Sequence, residues 1–262
     1  MNTRKSLLAL SLMAASALAH ADYTFSNVSF NQLNWSDSTL NKTQASLFGA
    51  KRNFQYLEAE GGMGRSWGDL YGFFDLENWN RNDTEMPAGD RRYTTKVVAR
   101  FNITDIGGVP VKLYTHVYDT RGFNFFDQNR VLGLGTDLSF GKVWFKPFLG
   151  MHQELKYQVG AHRNGWMAGY VAGFDFTAFG QPFSVTQWHE TEFDRSHYFT
   201  TVAQPSGFAG LVQKRTGQNG AVSLWWNPTK SLTTGIQYRY AVNKLGTAGN
   251  EYATIYTVKY NF

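Results

Sequence analysis

Ionisable and aromatic side chains alternate with apolar ones along two neighbouring segments of the chain. In the first segment Glu58 and Glu60 share one parity, and the residues between and beside them are apolar. Carboxylates next to aromatic rings suit a planar polar solute, because the rings stack on its face and the carboxylates bond its edge. The second segment continues the pattern on one parity with Asp69, Tyr71, Phe73 and Asp75.

The next segment carries basic side chains in the same alternation. Arg92, Lys96 and Arg100 share one parity, and Val97, Ala99 and Phe101 occupy the other. An acidic wall is therefore predicted beside a basic one. The charges either neutralise one another and stiffen a narrow barrel, or also line a pore, and the two interpretations are compatible.

Parity alone adds further interior candidates, most of which we expect to fill space. Trp188 pairs with Glu190 in this pattern, and Gln237 pairs with Arg239. Two more groups are Lys112, Tyr114, His116 and Tyr118, and Trp144, Lys146, Phe148, His152 and Glu154. The residues predicted to line a channel or contact solute are Glu58, Glu60, Asp69, Tyr71, Phe73, Asp75, Lys96, Arg100, Tyr114, His116, Trp188 and Arg239.

Catalytic and metal motifs are weak in this chain. The glycines before Lys142 have the wrong spacing for a phosphate loop and precede no helix. His189-Glu-Thr-Glu192 lacks the second histidine of a zinc-protease motif, and there is no cysteine. We predict no enzyme and no cofactor. The remaining enzymatic hypothesis is a barrel hydrolase with a site at the outer rim from His116, Asp119, His189, Asp194 and His197.

The elements that must position these residues are strands with one apolar face. The chain ends in such a strand, with Tyr252, Tyr256, Val258, Tyr260 and Phe262 on one parity. A charge facing lipid at mid-bilayer costs about 2–4 kcal/mol, so the ionisable parity must face a wet interior. The pattern predicts an all-β fold, a transmembrane antiparallel β-barrel of about twelve strands.

Period-two segments predict the strand positions. Pro147 is awkward within its strand, which suggests a bulge or a shortened strand, and 208–212 is a candidate for an extra hairpin. Short connections near 62–66, 104–110, 179–182 and 227–231 suit periplasmic turns, and longer ones at 80–91, 121–129, 155–165, 193–217 and 244–251 suit extracellular loops. The predicted strands are 42–51, 54–63, 67–79, 92–103, 111–120, 130–140, 142–154, 166–177, 183–192, 218–227, 231–243 and 252–262.

The beginning of the chain reads as a cleaved signal peptide. Arg4 and Lys5 precede an apolar stretch, and Ala19-His20-Ala21 offers a small-x-small cleavage site. The domains are therefore predicted as 1–21, a signal peptide, and 22–262, an outer-membrane barrel. Loss of Arg4 and Lys5 lowers the count of basic residues from 25 to 23, against 20 acidic ones, for a mature net charge of +3. This mild, scattered charge argues against a nucleic-acid partner.

The composition agrees with a barrel. Aromatic residues make up 16% of the chain and 26 residues are glycine, yet the mean hydropathy is −0.38. After the leader, no stretch reaches the roughly 18 apolar residues of a transmembrane helix. Strands that alternate between lipid and water produce this mixture.

Three patches resemble a known family. The run Tyr56-Leu-Glu-Ala-Glu60 … Trp67-Gly-Asp-Leu-Tyr-Gly-Phe-Phe-Asp75 resembles strands of the Tsx-like nucleoside-specific channels and the related OmpK proteins. Leu132-Gly-Leu-Gly-Thr-Asp137 is similar to a second signature, and Tyr260-Asn-Phe262 to the family's ending. The resemblance implies a monomeric twelve-stranded barrel that passes nucleosides by facilitated diffusion. It implies lumen positions for Glu58, Glu60, Asp69, Tyr71, Phe73 and Asp75.

The sequence therefore predicts a bacterial outer-membrane channel for nucleosides or similar small planar polar solutes. The alternative is a plugged barrel that acts as a surface receptor or adhesin through its outer loops. Expected partners are the solute, the lipid bilayer and lipopolysaccharide. The outer loops are candidate contacts for a phage or toxin, and a monomer is expected.

Overall fold

Twelve long antiparallel strands close into a barrel in the described part of the chain. The structure is a computed structural model that describes residues 22–44, 50–81, 91–123, 125–202 and 214–262. The predicted signal peptide, residues 1–21, and the candidate hairpin at 208–212 lie outside the described residues. The strands are β1 Tyr23–Trp35, β2 Phe54–Arg65, β3 Gly68–Glu77, β4 Arg92–Ile106, β5 Val109–Gly122, β6 Phe125–Gly135, β7 Leu138–Phe140, β8 Val143–Lys156, β9 Gly160–Ala178, β10 Gln181–Phe193, β11 Gly217–Trp226, β12 Leu232–Val242 and β13 Asn250–Asn261.

Two long-range pairings close the barrel. β1 pairs with β13 from Asn27↔Asn261 to Trp35↔Ala253. β6 pairs directly with β8, and the three-residue β7 pairs with β8 alone. β7 is therefore an appendage of the β6–β8 connection, and the predicted antiparallel β-barrel is confirmed.

Alternate side chains sort between the wall's two faces. On β13, Ala253, Ile255 and Lys259 are buried inside, whereas Tyr256 and Val258 are about half exposed outside. The other strands repeat this pattern, with an outer band of leucine, valine and aromatic residues. This apolar exterior is what contact with hydrocarbon requires.

The two ends of the barrel differ in their connections. The start of β1 and the end of β13 lie at one end, which we call the terminal end, together with short turns such as 66–67, 107–108 and 179–180. The opposite end, the loop end, carries helix α1 (Asp37–Thr43) and a π-helical turn, Tyr198–Val202. Among the described residues, no helix is both long and apolar enough to cross a bilayer.

The predicted first strand, 42–51, is wrong at both of its ends, and residues 45–49 lie outside the described residues. Residues up to Thr43 form the short helix α1, whose start is capped by the Ser36 side chain accepting a bond from the Thr39 backbone N–H at 3.3 Å. The true first strand is β1, which parity missed because Phe25 and Leu33 face inward while Ser26 and Gln32 face outward. With apolar and polar residues on both faces, its alternation is weak.

Two predicted long loops, 121–129 and 155–165, are also wrong. β5 ends at Gly122 and β6 begins at Phe125. β8 ends at Lys156 and β9 begins at Gly160, so only residues 157–159 lie between them. Pro147 sits inside β8 without shortening it. It lies between the stretch of β8 that pairs with β7 and the stretch that pairs with β6. There the missing N–H is tolerated, and the register shift comes later, between Met151 and Gln153.

Candidate functional site in the lumen

The barrel encloses one continuous cavity of about 940 Å³. Its lining reaches from Tyr23 and Trp144 near the terminal end to Lys156 and Lys244 at the loop end. The structure places all twelve sequence-predicted residues on this lining, although their contact with a solute stays a prediction: Glu58, Glu60, Asp69, Tyr71, Phe73, Asp75, Lys96, Arg100, Tyr114, His116, Trp188 and Arg239.

Arg239 lies in the middle of a row of inward positions across five neighbouring strands. It pairs with Ala221 of β11 on one side and with Ala253 of β13 on the other. Ala221 in turn pairs with Trp188, and Ala253 with Trp35. An alanine therefore flanks Arg239 on each side, with a tryptophan beyond each alanine. We call these five residues the Arg239 row.

Two carboxylates face the Arg239 row. Glu58 of β2 and Asp75 of β3 are direct cross-strand partners, and the Ser29 hydroxyl donates to Glu58 at 3.3 Å. The charge of Arg239 acts on Asp75 across the lumen. In the described part of the chain, however, Arg239 forms no ion pair or hydrogen bond, and its Nε is buried without an acceptor. The Arg239 guanidinium and the Asp75 carboxyl therefore face one another without contact, and the Asp75 and Glu58 carboxyls hydrogen-bond each other.

One step nearer the terminal end, the charges do meet. Glu60 accepts from Lys259 Nζ at 2.8 Å, from the Tyr71 hydroxyl at 2.8 Å and from Asn27 Nδ2 at 3.0 Å. Both charged groups are nearly inaccessible to water, with side-chain exposures of 4% for Lys259 and 5% for Glu60. This pair ties β13, β1, β2 and β3 together. Parity placed Lys259 on the wet face but could not show its partner.

A second network binds β4, β10 and the loop-end connections. Lys96 is bonded to Glu190, and Lys244 reaches Glu192 at 2.6 Å. Arg195 donates its Nε to the same Glu192 carboxylate at 2.6 Å. These contacts anchor both ends of the β10–β11 connection and the β12–β13 loop against the barrel wall.

At the terminal end, three cations surround two carboxylates. Lys112 Nζ lies 3.1 Å from Asp69 and 2.5 Å from Asp137, and Arg100 and Lys146 lie within 4.0 Å of both acids. We call Asp69, Arg100, Lys112, Asp137 and Lys146 the terminal cluster. Asp137 is in the β6–β7 turn. Burial acts to raise its pKa, but Lys146, Lys112 and Arg100 outweigh that effect and hold the pKa below its ordinary value.

Aromatic rings pack in the centre of the lumen. Tyr114 and Phe148 stack with ring centroids 4.0 Å apart, and the Tyr114 hydroxyl contacts His116 Nδ1 at 2.9 Å. His116 is therefore a bonded interior residue.

The loop-end mouth carries a lysine that titrates near neutral pH. Lys51 precedes β2, 3.8 Å from the buried carboxylate of Glu251 and 5.5 Å from the Trp35 ring centroid. Burial is the main reason that the pKa of Lys51 is lowered to about 8. The charges of Arg92 and Arg239 also lower this pKa, whereas the charge of Glu251 raises it.

The residues of the hydrolase hypothesis are not brought together. His116 faces the lumen, whereas His189 is on the outer wall, where it contacts the Tyr240 hydroxyl at 2.7 Å and Thr191 at 2.8 Å. No group of three histidine, aspartate or glutamate side chains among the described residues could hold a metal ion. Sequence reasoning missed Trp35 as a lining residue, because it is in the strand that the pattern did not reveal. It also missed that Asp137, which is on a turn, meets the three cations of the terminal cluster.

Comparison with known proteins gives a consistent result. Residues 30–262 match the family model of the nucleoside-specific channel-forming protein Tsx. An outer membrane protein OmpK of Vibrio parahaemolyticus serotype O3:K6 is 30% identical over 187 residues, covering 55% of this chain and 69% of that protein. Another OmpK from Vibrio parahaemolyticus is 26% identical over 227 residues, covering 72% of this chain and 86% of that protein.

The fold is also supported by a solved porin structure. The NanC porin superposes with a TM-score of 0.50 at 10% sequence identity, over 90% of this chain and all of that one (100%). The KdgM porin, in complex with disordered oligogalacturonate, gives a TM-score of 0.45 at 10% identity over 92% of this chain and 99% of that one.

Proposed function

This chain belongs to the Tsx family of nucleoside-specific channel-forming proteins and forms a channel in the bacterial outer membrane, and we propose that it conducts nucleosides or similar small planar polar solutes. The terminal end then faces the periplasm and the loop end faces the outside. Solute moves down its concentration gradient without energy input. The proposal depends most on one observation, which is that Arg239 faces Asp75 without touching it.

This arrangement suits a solute with both donors and acceptors on a flat frame. The guanidinium donates to ring nitrogens or carbonyls, and the carboxylates accept from hydroxyl or amino groups. Charge-assisted bonds of this kind are stronger than neutral ones, so the site favours polar edges over plain apolar rings.

The tryptophans of the Arg239 row supply the stacking faces. Trp188 and Trp35 are each separated from Arg239 by one alanine, so a planar ring on either indole has its edge near the guanidinium. Stacking of a base on an aromatic side chain contributes roughly 1–3 kcal/mol. That modest affinity suits conduction, because the solute must leave the site as readily as it enters.

Planar bilayers test the proposal. Adenosine or thymidine added to the wild-type channel should reduce the ion current at lower concentration than glucose does. Arg239→Gln should raise the nucleoside concentration for half-block by about tenfold or more, since hydrogen bonds to a charged group are worth roughly 1.5–3 kcal/mol. Block by glucose should change little.

The matched control is Arg121→Gln, which removes an arginine whose side chain is 60% exposed and paired with Asp119 at 2.8 Å. This variant should keep wild-type nucleoside block. Equal block by glucose and nucleosides in the wild type would remove the specificity claim. A chain that inserts but carries no current would instead favour a plugged receptor.

A further inference from the structure

The terminal cluster has one more positive charge than its acids. Arg100, Lys112 and Lys146 supply three cations against Asp69 and Asp137. Arg100 Nε is buried with no acceptor in the described residues, and Asp137 Oδ1 is buried with no donor. Buried polar groups are normally paired, so Asp137 does not satisfy these cations fully and Arg100 has a donor left for a further oxygen ligand.

A second unpaired donor lies beside the cluster. Trp144 is two residues before Lys146 on the same face of β8, lines the same cavity and is 4% exposed. Its indole N–H is buried without a partner. Since an indole nitrogen only donates, it also calls for an acceptor on this side of the lumen.

The two carboxylates of the cluster are held very differently. Asp69 is on β3, with paired strands on both sides, and its side chain is 9% exposed. Asp137 is in the two-residue link between β6 and β7, with a side-chain exposure of 30%. β7 pairs on one side only. Asp137 can therefore leave the cations at a much lower cost than Asp69 can.

The glycines before Asp137 explain how its turn reaches the lumen. A Cβ at Gly133 would lie 2.0 Å from the Leu149 carbonyl, and one at Gly135 would lie 3.0 Å from that of Pro147. These two positions let β6 lie close against β8 up to the turn, and Thr136 N–H then donates to the Pro147 carbonyl at 3.2 Å. The Leu132–Asp137 signature thus delivers a carboxylate to the three cations.

We propose that Arg100, Lys112 and Lys146 form a binding site for the oxyanion group of a small solute, a carboxylate or a phosphate, and that the Asp137 side chain occupies the anion position when no solute is there. An arriving oxyanion exchanges with Asp137 and gains the unused donors of Arg100 and Trp144. Asp69 stays in place and limits the net charge. This inference is independent of the nucleoside preference proposed above.

The test compares two substitutions that change the charge equally. In planar bilayers, the phosphate concentration for half-block should be at least about tenfold lower for Asp137→Asn than for the wild type, because a competing charge at contact distance is gone. Asp69→Asn adds the same charge but leaves Asp137 in the anion position. The fall in the phosphate concentration for half-block should therefore be several-fold smaller for Asp69→Asn than for Asp137→Asn. Acetate should follow the same order, and whichever of acetate or phosphate blocks at lower concentration identifies the preferred source of the oxyanion.

Other outcomes separate a site from a general field. Lys112→Met in the Asp137→Asn background should reverse the gain, and Asp105→Asn, at the exposed end of β4 on the same side of the membrane, should leave block unchanged. Equal gains from Asp69→Asn and Asp137→Asn, or no gain from Asp137→Asn, would overturn the proposal. Heat-resistant migration of each variant on detergent gels reports that its barrel has folded. Arg239→Gln should leave phosphate block unchanged, so failure here and failure of the nucleoside proposal are distinct.

Discussion

Two carboxylate positions on β2, one alternation apart, have opposite surroundings. Glu60 is met by Lys259 at 2.8 Å and by two further donors. Glu58 lies two residues nearer the loop end, and its cross-strand partner Asp75 faces Arg239 without contact. Where opposite charges bond each other, nothing is left for a solute. Where they are held apart by the barrel, the space between them is available.

The comparison suggests a division of labour within one lumen. The Glu60–Lys259 pair should act on stability and little on solute, whereas the Arg239 row should act on solute and little on stability. Ala221 and Ala253, the cross-strand neighbours of Arg239, carry no group that could pair with its guanidinium. Each prediction below challenges one side of this division.

The largest expected effect is the loss of stability in Lys259→Met. Removing one partner of a buried ion pair leaves Glu60 charged and uncompensated, which costs about 3–5 kcal/mol. Urea unfolding in detergent should show this loss, and the double variant Glu60→Gln/Lys259→Met should recover much of it. Lys230→Met, in an exposed turn, is the control. A loss below about 1 kcal/mol, the value of a surface pair, would contradict a structural role for this contact.

Next in size is the effect of Trp188→Ala on solute binding. Loss of one stacking face should weaken nucleoside block by roughly 1–3 kcal/mol, as for other base–aromatic contacts. Unfolding by urea should change much less than in Lys259→Met, because Trp188 is only partly buried. The matched control is Trp226→Ala on the outer face, where the side chain is exposed. Identical nucleoside block of Trp188→Ala and Trp226→Ala would contradict a stacking role for Trp188.

The smallest effect concerns pH at the loop-end mouth. The pKa of Lys51 is lowered to about 8, so its charge is present at pH 7 and largely absent at pH 9. Because this cation sits above the Arg239 row, cation selectivity should rise modestly over that range. Reversal potentials in a salt gradient measure the change, and Lys51→Met should not show it. An equal change in cation selectivity between pH 7 and pH 9 in Lys51→Met would show that another group titrates.

Much of this molecule could be predicted from its sequence. In β2, β3 and β4 the inner positions are ionisable or aromatic and the outer ones are apolar, because a lipid-facing charge is costly. That rule alone placed Glu58, Asp75 and Arg100 on the lumen. β1 was missed because phenylalanine occurs on its inner face and serine and glutamine occur on its outer face, so the two faces differ little in polarity.

What sequence could not supply was distance across the lumen. Arg239 and Asp75 belong to strands that meet only through barrel closure, so no local pattern reveals that they face each other without bonding. Nor does a pattern show which way a turn points. Asp137 follows a glycine-rich strand end, and only the approach of β6 to β8 directs its carboxylate inward.

A crystal structure of the detergent-solubilised protein with a saturating nucleoside tests the central claim most directly. The account predicts a bound base stacked on Trp188 or Trp35, with its edge within hydrogen-bond distance of the Arg239 guanidinium. A nucleoside found only at the terminal cluster or on the loop-end surface would contradict it.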